Sequence, residues 1–256
     1  VLGVGNALFH VGGGLDVIQE DFSHNRGGRN LGIFVAPGAL GLYFGTQLGK
    51  GAISFVPLIA AGMLLAVFVI FLAIGKQKQT QYVSTANSSN VKSIPILVLC
   101  CFVVVILRSF TGFAAGFQWK SVAILGFLAV VVTAGGKAAG GFLSARFGPA
   151  KTMTVTLLLA AICFLLGDHA VFGLAALLLF NMSMPVTLYL LAQYLPNLPG
   201  FSFGLLTFGL FLGFLPVYFG VSLPVSGGVA GAAGSIISAG LLVLAWKAVN
   251  RGKVHT

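Results

Sequence analysis

The sequence predicts an all-α protein whose helices cross a membrane many times, and three observations carry that expectation. Hydrophobic residues make up 58% of the 256-residue chain and charged residues 7%, with a mean hydropathy of +1.05. A soluble domain of this size needs far more charge to cover itself, so the solvent for these side chains is lipid. Nine apolar runs, at roughly 1–22, 31–49, 52–75, 94–118, 121–142, 150–167, 170–195, 201–220 and 227–249, match the ~20 residues that a helix needs to span a bilayer. The basic residues fall in the gaps on alternate sides. With the first gap cytoplasmic, that side collects Arg26, Arg29, Lys76, Lys78, Lys92, Arg146, Lys151, Lys247, Arg251 and Lys253, against only Lys50 and Lys120 on the other. Positive charge accumulates on cytoplasmic loops, so the C-terminus is expected to be cytoplasmic.

The net charge of +10 is thereby spread over short loops and makes no single basic patch, which excludes a nucleic-acid partner. Cys100, Cys101 and Cys163 lie inside apolar runs. They read as small hydrophobes, with neither a disulfide framework nor metal-ligand spacing.

The first run carries the densest polar chemistry. Asn6 and His10 are four residues apart and share a helix face with Gly3, Gly13 and Gly14, so both look toward a neighbouring helix or a water-filled cavity. His10 either binds an anion or titrates during transport, or it is a neutral imidazole hydrogen-bonded to a neighbouring helix. Asp16 and Glu20 form a second i, i+4 pair near the basic gap, expected to join Arg26 and Arg29 in a charge cluster at the membrane surface, the alternative being that they carry protons. In the second run Pro37 bends the helix, while Gly38, Gly41, Gly45 and Gly49 make a smooth stripe for close packing.

The polar stretch between the third and fourth runs, with Lys76, Lys78 and Lys92 among Gln, Ser, Thr and Asn, reads as a flexible cytoplasmic linker. It divides the chain into a partial bundle of three helices (1–75), a linker (76–93) and a six-helix bundle (94–256). In the fourth run Arg108 stands between Cys100–Leu107 and Phe110–Phe117. An arginine in an apolar span normally faces a cavity or pairs with an acid; here it holds a phosphate, phosphonate or carboxylate, or it pairs with an acid such as Asp16. Lys137 is read as close enough to the cytoplasmic end of its run to snorkel. In the seventh run Asn181 precedes Met182-Ser183-Met184-Pro185, and a polar group beside a helix-breaking proline suits a cavity wall. Tyr189 and Gln193, four apart, either extend that wall or hydrogen-bond between helices.

A shift of 175 residues places Asn6 on Asn181, Tyr43-Phe44-Gly45 on Tyr218-Phe219-Gly220, and Lys76 and Lys78 on Arg251 and Lys253. Runs one to three then repeat as seven to nine. The middle three have no partner, so three further spans are expected before Val1.

The turn between runs five and six reads Gly141-x-Leu143-Ser144-x-Arg146-x-Gly148-x-x-Lys151. It resembles the loop signature of the major facilitator superfamily, G-x-L-[AS]-D-R-x-G-[RK]-[RK], with Ala145 in the place of the aspartate. The second run is similar to the span-five signature of the superfamily's antiporters at Gly32, Pro37 and Gly41, with Ala36 and Leu40 replacing glycines; a generic packing face explains it as well. Gly5-Asn6-x-x-Phe9-His10, Leu107-Arg108-Ser109 and Gly136-Lys137-x-x-Gly140-Gly141 resemble the fosmidomycin-resistance group of that superfamily. The resemblance implies spans four to twelve of a twelve-span helical bundle in the bacterial inner membrane. It also implies a small-molecule substrate, alternating access, proton-coupled efflux of a drug-like or anionic metabolite, no cofactor beyond the proton gradient, and a monomer when complete. Sugar or organic-anion uptake is the competing substrate class. No motif for an enzyme is present, and a non-transporting receptor or an intramembrane enzyme on the same scaffold is the alternative.

Overall fold

The computed structural model describes residues 2–51, 54, 57, 61–65, 93–195, 198–221 and 225–250, with the side chains of residues 2–11 outside that description. Helix is the only regular structure among the described residues. The expected third span (52–75) and the linker (76–93) fall almost wholly outside them.

Helix α1 (Leu2–Ser23) runs into a turn at His24–Gly28, where Asn25, Gly27 and Gly28 all take positive φ. Helices α2 (Arg29–Val35) and α3 (Pro37–Gly49) follow as one apolar stretch, interrupted at Ala36. Pro37 has no N–H to give the preceding turn, which is why the break falls there. Ala36 keeps helical dihedrals (φ −63°, ψ −46°), so the axis bends without reversing.

Helix α4 (Ile94–Ala114) leads through a 3-10 turn (Gln118–Ser121) into α5 (Ala123–Phe147). Gly148 alone reverses the chain, at φ 86° and ψ 151°, and Pro149 opens α6 (Pro149–Leu165). The sequence reading ended this span at 142. The helix continues to Phe147 because a one-residue turn with positive φ, followed by a proline suited to a first helical position, is all the reversal needs. Helices α7 (Ala170–Asn181) and α8 (Ser183–Tyr194) form one span broken at Met182. Helix α9 (Pro199–Tyr218) and α10 (Gly227–Asn250) complete the chain.

The packing closes on itself. Helix α2 lies on α5, α5 on α7, α7 on α6, α6 on α10, α10 on α4, α4 on α9, α9 on α1, and α1 on α2. Helix α8 touches α1, α2, α4, α5, α6 and α9, so it occupies the middle of this ring, and every residue from Pro185 to Ala192 is buried. The outer surface is apolar: Leu99 is 62% exposed, Ile124 69%, Val171 75% and Leu244 60%. A water-facing surface does not carry so many large apolar groups.

Six helical stretches among the described residues are long and apolar enough to cross a membrane: Arg29–Gly49, Ile94–Ala114, Ala123–Phe147, Ala170–Tyr194, Pro199–Tyr218 and Gly227–Asn250. Helix α6 is apolar but has 17 residues, and α1, with 22 residues, is more polar. The chain is therefore a polytopic helical membrane protein.

Its charge asymmetry has a geometric counterpart. The α1–α2 turn packs on the end of α5, where a Cβ on Gly27 would meet the Ala145 backbone and Arg29 lies 5.2 Å over the Phe142 ring. Tyr194 donates a 3.4 Å hydrogen bond to Asn250, which joins the ends of α8 and α10. Arg26, Arg29, Arg146, Lys151 and Lys247 thus share one end of the bundle, and Lys50 and Lys120 lie toward the other.

The repeat is only approximate in the fold. Tyr43-Phe44-Gly45 lies within α3, whereas Tyr218-Phe219-Gly220 ends α9, with Gly220 at φ 77°.

Candidate binding cavity

Five elements surround a cavity of about 690 Å³: α3, α4 with the turn after it, α5, α7 with the start of α8, and α9. Among the described residues three of its lining groups are cationic, Arg108, Lys120 and Lys137, and none is acidic. Tyr43, Phe113, Phe180, Phe211 and Phe214 supply aromatic surface. Edge-to-face packing of Phe113 on Phe214 at 5.0 Å, and a tilted contact of Tyr43 on Phe127 at 5.6 Å, hold three of these rings in place.

Arg108 sits on the fifteenth residue of α4, 7% exposed, and its Nη1 is buried with no hydrogen-bond partner among the described residues. A guanidinium has five donors, no acceptor, and no means of shedding its charge at ordinary pH. Its neighbour Ser109 donates its hydroxyl to the Leu210 carbonyl at 2.6 Å and ties α4 to α9. The acid proposed from sequence as its partner, Asp16, is exposed on α1 and does not line the cavity. Arg108 therefore presents an unmet demand for an anionic acceptor.

Lys137 corrects the sequence reading. With α5 continuing to Phe147, it stands ten residues from the helix end, about 15 Å at the helical rise of ~1.5 Å per residue. A lysine side chain cannot snorkel that far. It is half-buried, lines the cavity, feels the charge of Arg108, and has no hydrogen bond or ion pair among the described residues. Lys120 differs. Its ammonium donates to the Ala115 carbonyl at 3.0 Å and lies 5.1 Å over the Phe117 ring, so its own turn satisfies it.

Asn181 lines the cavity as expected beside a helix break. Its Nδ2 donates to the Leu177 carbonyl at 2.8 Å, which fixes the amide and leaves Oδ1 unengaged among the described residues. Gly38 also lines the cavity. Tyr189 and Gln193 do not: Tyr189 is buried against Phe22 at 5.2 Å and Gln193 is half-buried elsewhere on α8. Their helix is the central one, so its far turns face protein. Asn6 and His10 lie on α1, with side chains outside the described residues.

Gly41 and Gly45 are exposed, and a Cβ on either would meet nothing within 4 Å among the described residues. The close approach in this span lies earlier, at Gly32. Of the turn signature, Gly141 packs against the carbonyls of Gly28 and Arg29, Leu143 is half-buried, and Gly148 makes the reversal; Arg146 and Lys151 are exposed.

One structural feature escaped the sequence reading. Asp21, fully buried, accepts the backbone amides of Asn30 (3.0 Å) and Leu31 (2.9 Å). The expected surface cluster shrinks to Glu20, which pairs with Arg26 at 3.3 Å. Among the described residues no group of three or more His, Cys, Asp or Glu side chains is arranged to hold a metal.

No family model, curated protein or solved structure matches the chain.

Proposed function

We propose that the chain belongs to a secondary transporter of the major-facilitator type that moves a small organic anion across the bacterial inner membrane by alternating access, coupled to protons. One observation carries this reading: the buried Nη1 of Arg108, without a partner among the described residues, at the wall of a 690 Å³ cavity that no described acid lines. A cation left without a counter-ion inside an apolar bundle is costly, and an anionic substrate would remove that cost on each cycle. The position of the cavity supports movement as well as binding. Its α3 wall comes from residues before 50 and its other walls from residues after 93, so rocking one group of helices against the other would expose it alternately to the two sides. The accumulation of arginine and lysine at one end supports a cytoplasmic placement for that end and for the C-terminus.

The test is flux through the full chain in proteoliposomes, with naphthalene monosulfonate as a permanently charged, aromatic tracer and an imposed pH gradient as the driving force. The tracer should cross with the wild-type chain, and Arg108→Ala should reduce the initial rate by at least about tenfold, the value of one charge-assisted contact. Flux in Arg108→Ala at the wild-type rate would overturn the assignment. Saturable binding with no flux under any gradient would replace the transporter with a receptor.

A further inference from the structure

The cavity holds a second feature that a single-anchor site does not need. Arg108 projects from α4 and Lys137 from α5, helices on separate arcs of the ring. Both line the same cavity, and neither has a counter-ion among the described residues. Lys120, the third cation, is already engaged by Ala115 and Phe117. Two like charges brought together in an apolar bundle repel one another more strongly than they would in water. Packing alone gives no reason to keep both, since a neutral side chain at either position would fill the space without the repulsion.

We propose that Arg108 and Lys137 form a two-pronged anion site, and that its ligand is a soluble organic dianion with an aromatic body. The dianion would place one negative charge on the guanidinium fork and the other on the ammonium, and its ring would lie against Phe113, Phe180, Phe211 and Phe214. Asn181 Oδ1, fixed by the bond from Nδ2 to Leu177, remains to accept a hydroxyl or amide donor from the ligand body. The site deepens the transport reading given above and rests on it for the identity of the bound molecule as cargo. A lipid head group of the phosphodiester type carries a single negative charge, so preference for two charges separates a soluble ligand from a lipid.

The experiment is calorimetric titration of the full chain in phosphatidylcholine nanodiscs with naphthalene monosulfonate and a set of naphthalene disulfonate isomers whose charges lie at different separations. At least one disulfonate should bind about tenfold tighter than the monosulfonate, one further charge-assisted contact. Lys137→Gln should erase that preference, and Lys137→Arg should restore it, which separates loss of charge from loss of fold. Equal affinity for mono- and disulfonates, or an undiminished preference in Lys137→Gln, would overturn the proposal. Stoichiometric exclusion of the disulfonate when phosphatidylglycerol is added to the discs would overturn the soluble ligand in favour of a lipid. Dianion preference without flux in proteoliposomes would leave this site standing and remove the transport reading. Flux of the monosulfonate with no dianion preference would do the reverse.

Discussion

Gly32 of α2 and Gly141 of α5 meet backbone to backbone: a Cβ on Gly32 would lie 3.0 Å from Gly141 Cα and 2.9 Å from the carbonyl oxygen of Lys137. A Cβ on Gly141 would in turn lie 2.6 Å from the Gly28 carbonyl oxygen. These neighbours are backbone and cannot rotate away, so an added methyl group must push the helices apart. Gly32→Ala or Gly141→Ala should therefore destabilise the protein by about 1–3 kcal/mol, the usual cost of overpacking. Because the Gly32 contact includes the Lys137 carbonyl, displacement of α5 should also weaken disulfonate binding. Gly41→Ala is the control, since a Cβ there meets nothing within 4 Å among the described residues. Its stability should stay within about 0.5 kcal/mol of wild type. Thermal melting of the three variants in detergent reads the difference, and equal midpoints would show that the α2–α5 crossing is not tight.

The second prediction concerns the buried carboxylate at the basic end. Asp21 accepts the amides of Asn30 and Leu31, two donors that the first turn of α2 leaves without helical partners. A negative charge at a helix N-terminus also meets the positive end of the peptide dipoles. Asp21→Ala should cost about 1–2 kcal/mol, the range for loss of a helix cap. Hydrogen exchange localises the effect: the amides of Asn30 and Leu31 should exchange faster, while those in α10 stay unchanged. Uniform acceleration across the bundle would mean that Asp21 supports the whole fold and is not a local cap.

The class of the protein was legible from sequence because lipid as solvent writes itself into composition: long apolar runs, and basic residues gathered in alternate gaps. Arg108 was legible for the same reason, being a charge where the run leaves no room for one. Lys137 was misread because its role turned on where α5 ends. A five-residue error at a helix terminus moves a side chain ~7.5 Å along the axis, enough to turn a residue facing a cavity into a snorkelling one. Asp21 was passed over because its partners are backbone amides nine and ten residues ahead, beyond a turn that carries no side-chain pattern. Helical spacing leaves Tyr189 and Gln193 either on the cavity wall with Asn181 or in hydrogen bonds between helices. Spacing reports which residues share a face, and the break at Met182 separates that face from the cavity. The glycine stripe of α3 is of the same kind: small residues at helical spacing permit close approach but do not say which of them is approached.

The third prediction follows from the turn between α4 and α5, outside the spans. Burial holds the Lys120 ammonium below the usual lysine range, so the folded protein releases that proton at a lower pH than the unfolded chain does. Between the lowered value and the ordinary one, unfolding takes up a proton, and stability from this group rises with pH. The burial cost is fully present below the lowered value and disappears only above the ordinary lysine range. The difference in melting temperature between wild type and Lys120→Met should therefore shift in favour of wild type as the pH is raised from neutrality into the alkaline range. A difference that stays flat with pH would mean that the Ala115 carbonyl and the Phe117 ring compensate the burial in full.

The last prediction uses a polar cavity group whose position a local bond fixes. Asn181 is held by its Nδ2 on the Leu177 carbonyl, and its Oδ1 is left over at the wall that Arg108 and Lys137 share. Replacing the amide by a carboxylate of the same shape places a negative charge where the site holds only positive ones. Asn181→Asp should then act as a built-in counter-ion. An ion pair of this kind forms within the protein without the cost of capturing a ligand, and it occupies the donors that a dianion would use. Disulfonate affinity should fall at least about tenfold, with the melting temperature equal to or above that of wild type. Asn181→Ala removes the amide without adding charge and should lower affinity by no more than a few-fold. Affinity unchanged in Asn181→Asp would place the bound anion away from Arg108 and Lys137. A fall in both affinity and melting temperature would point instead to damage at the α7–α8 break, which the Asn181→Ala variant would share.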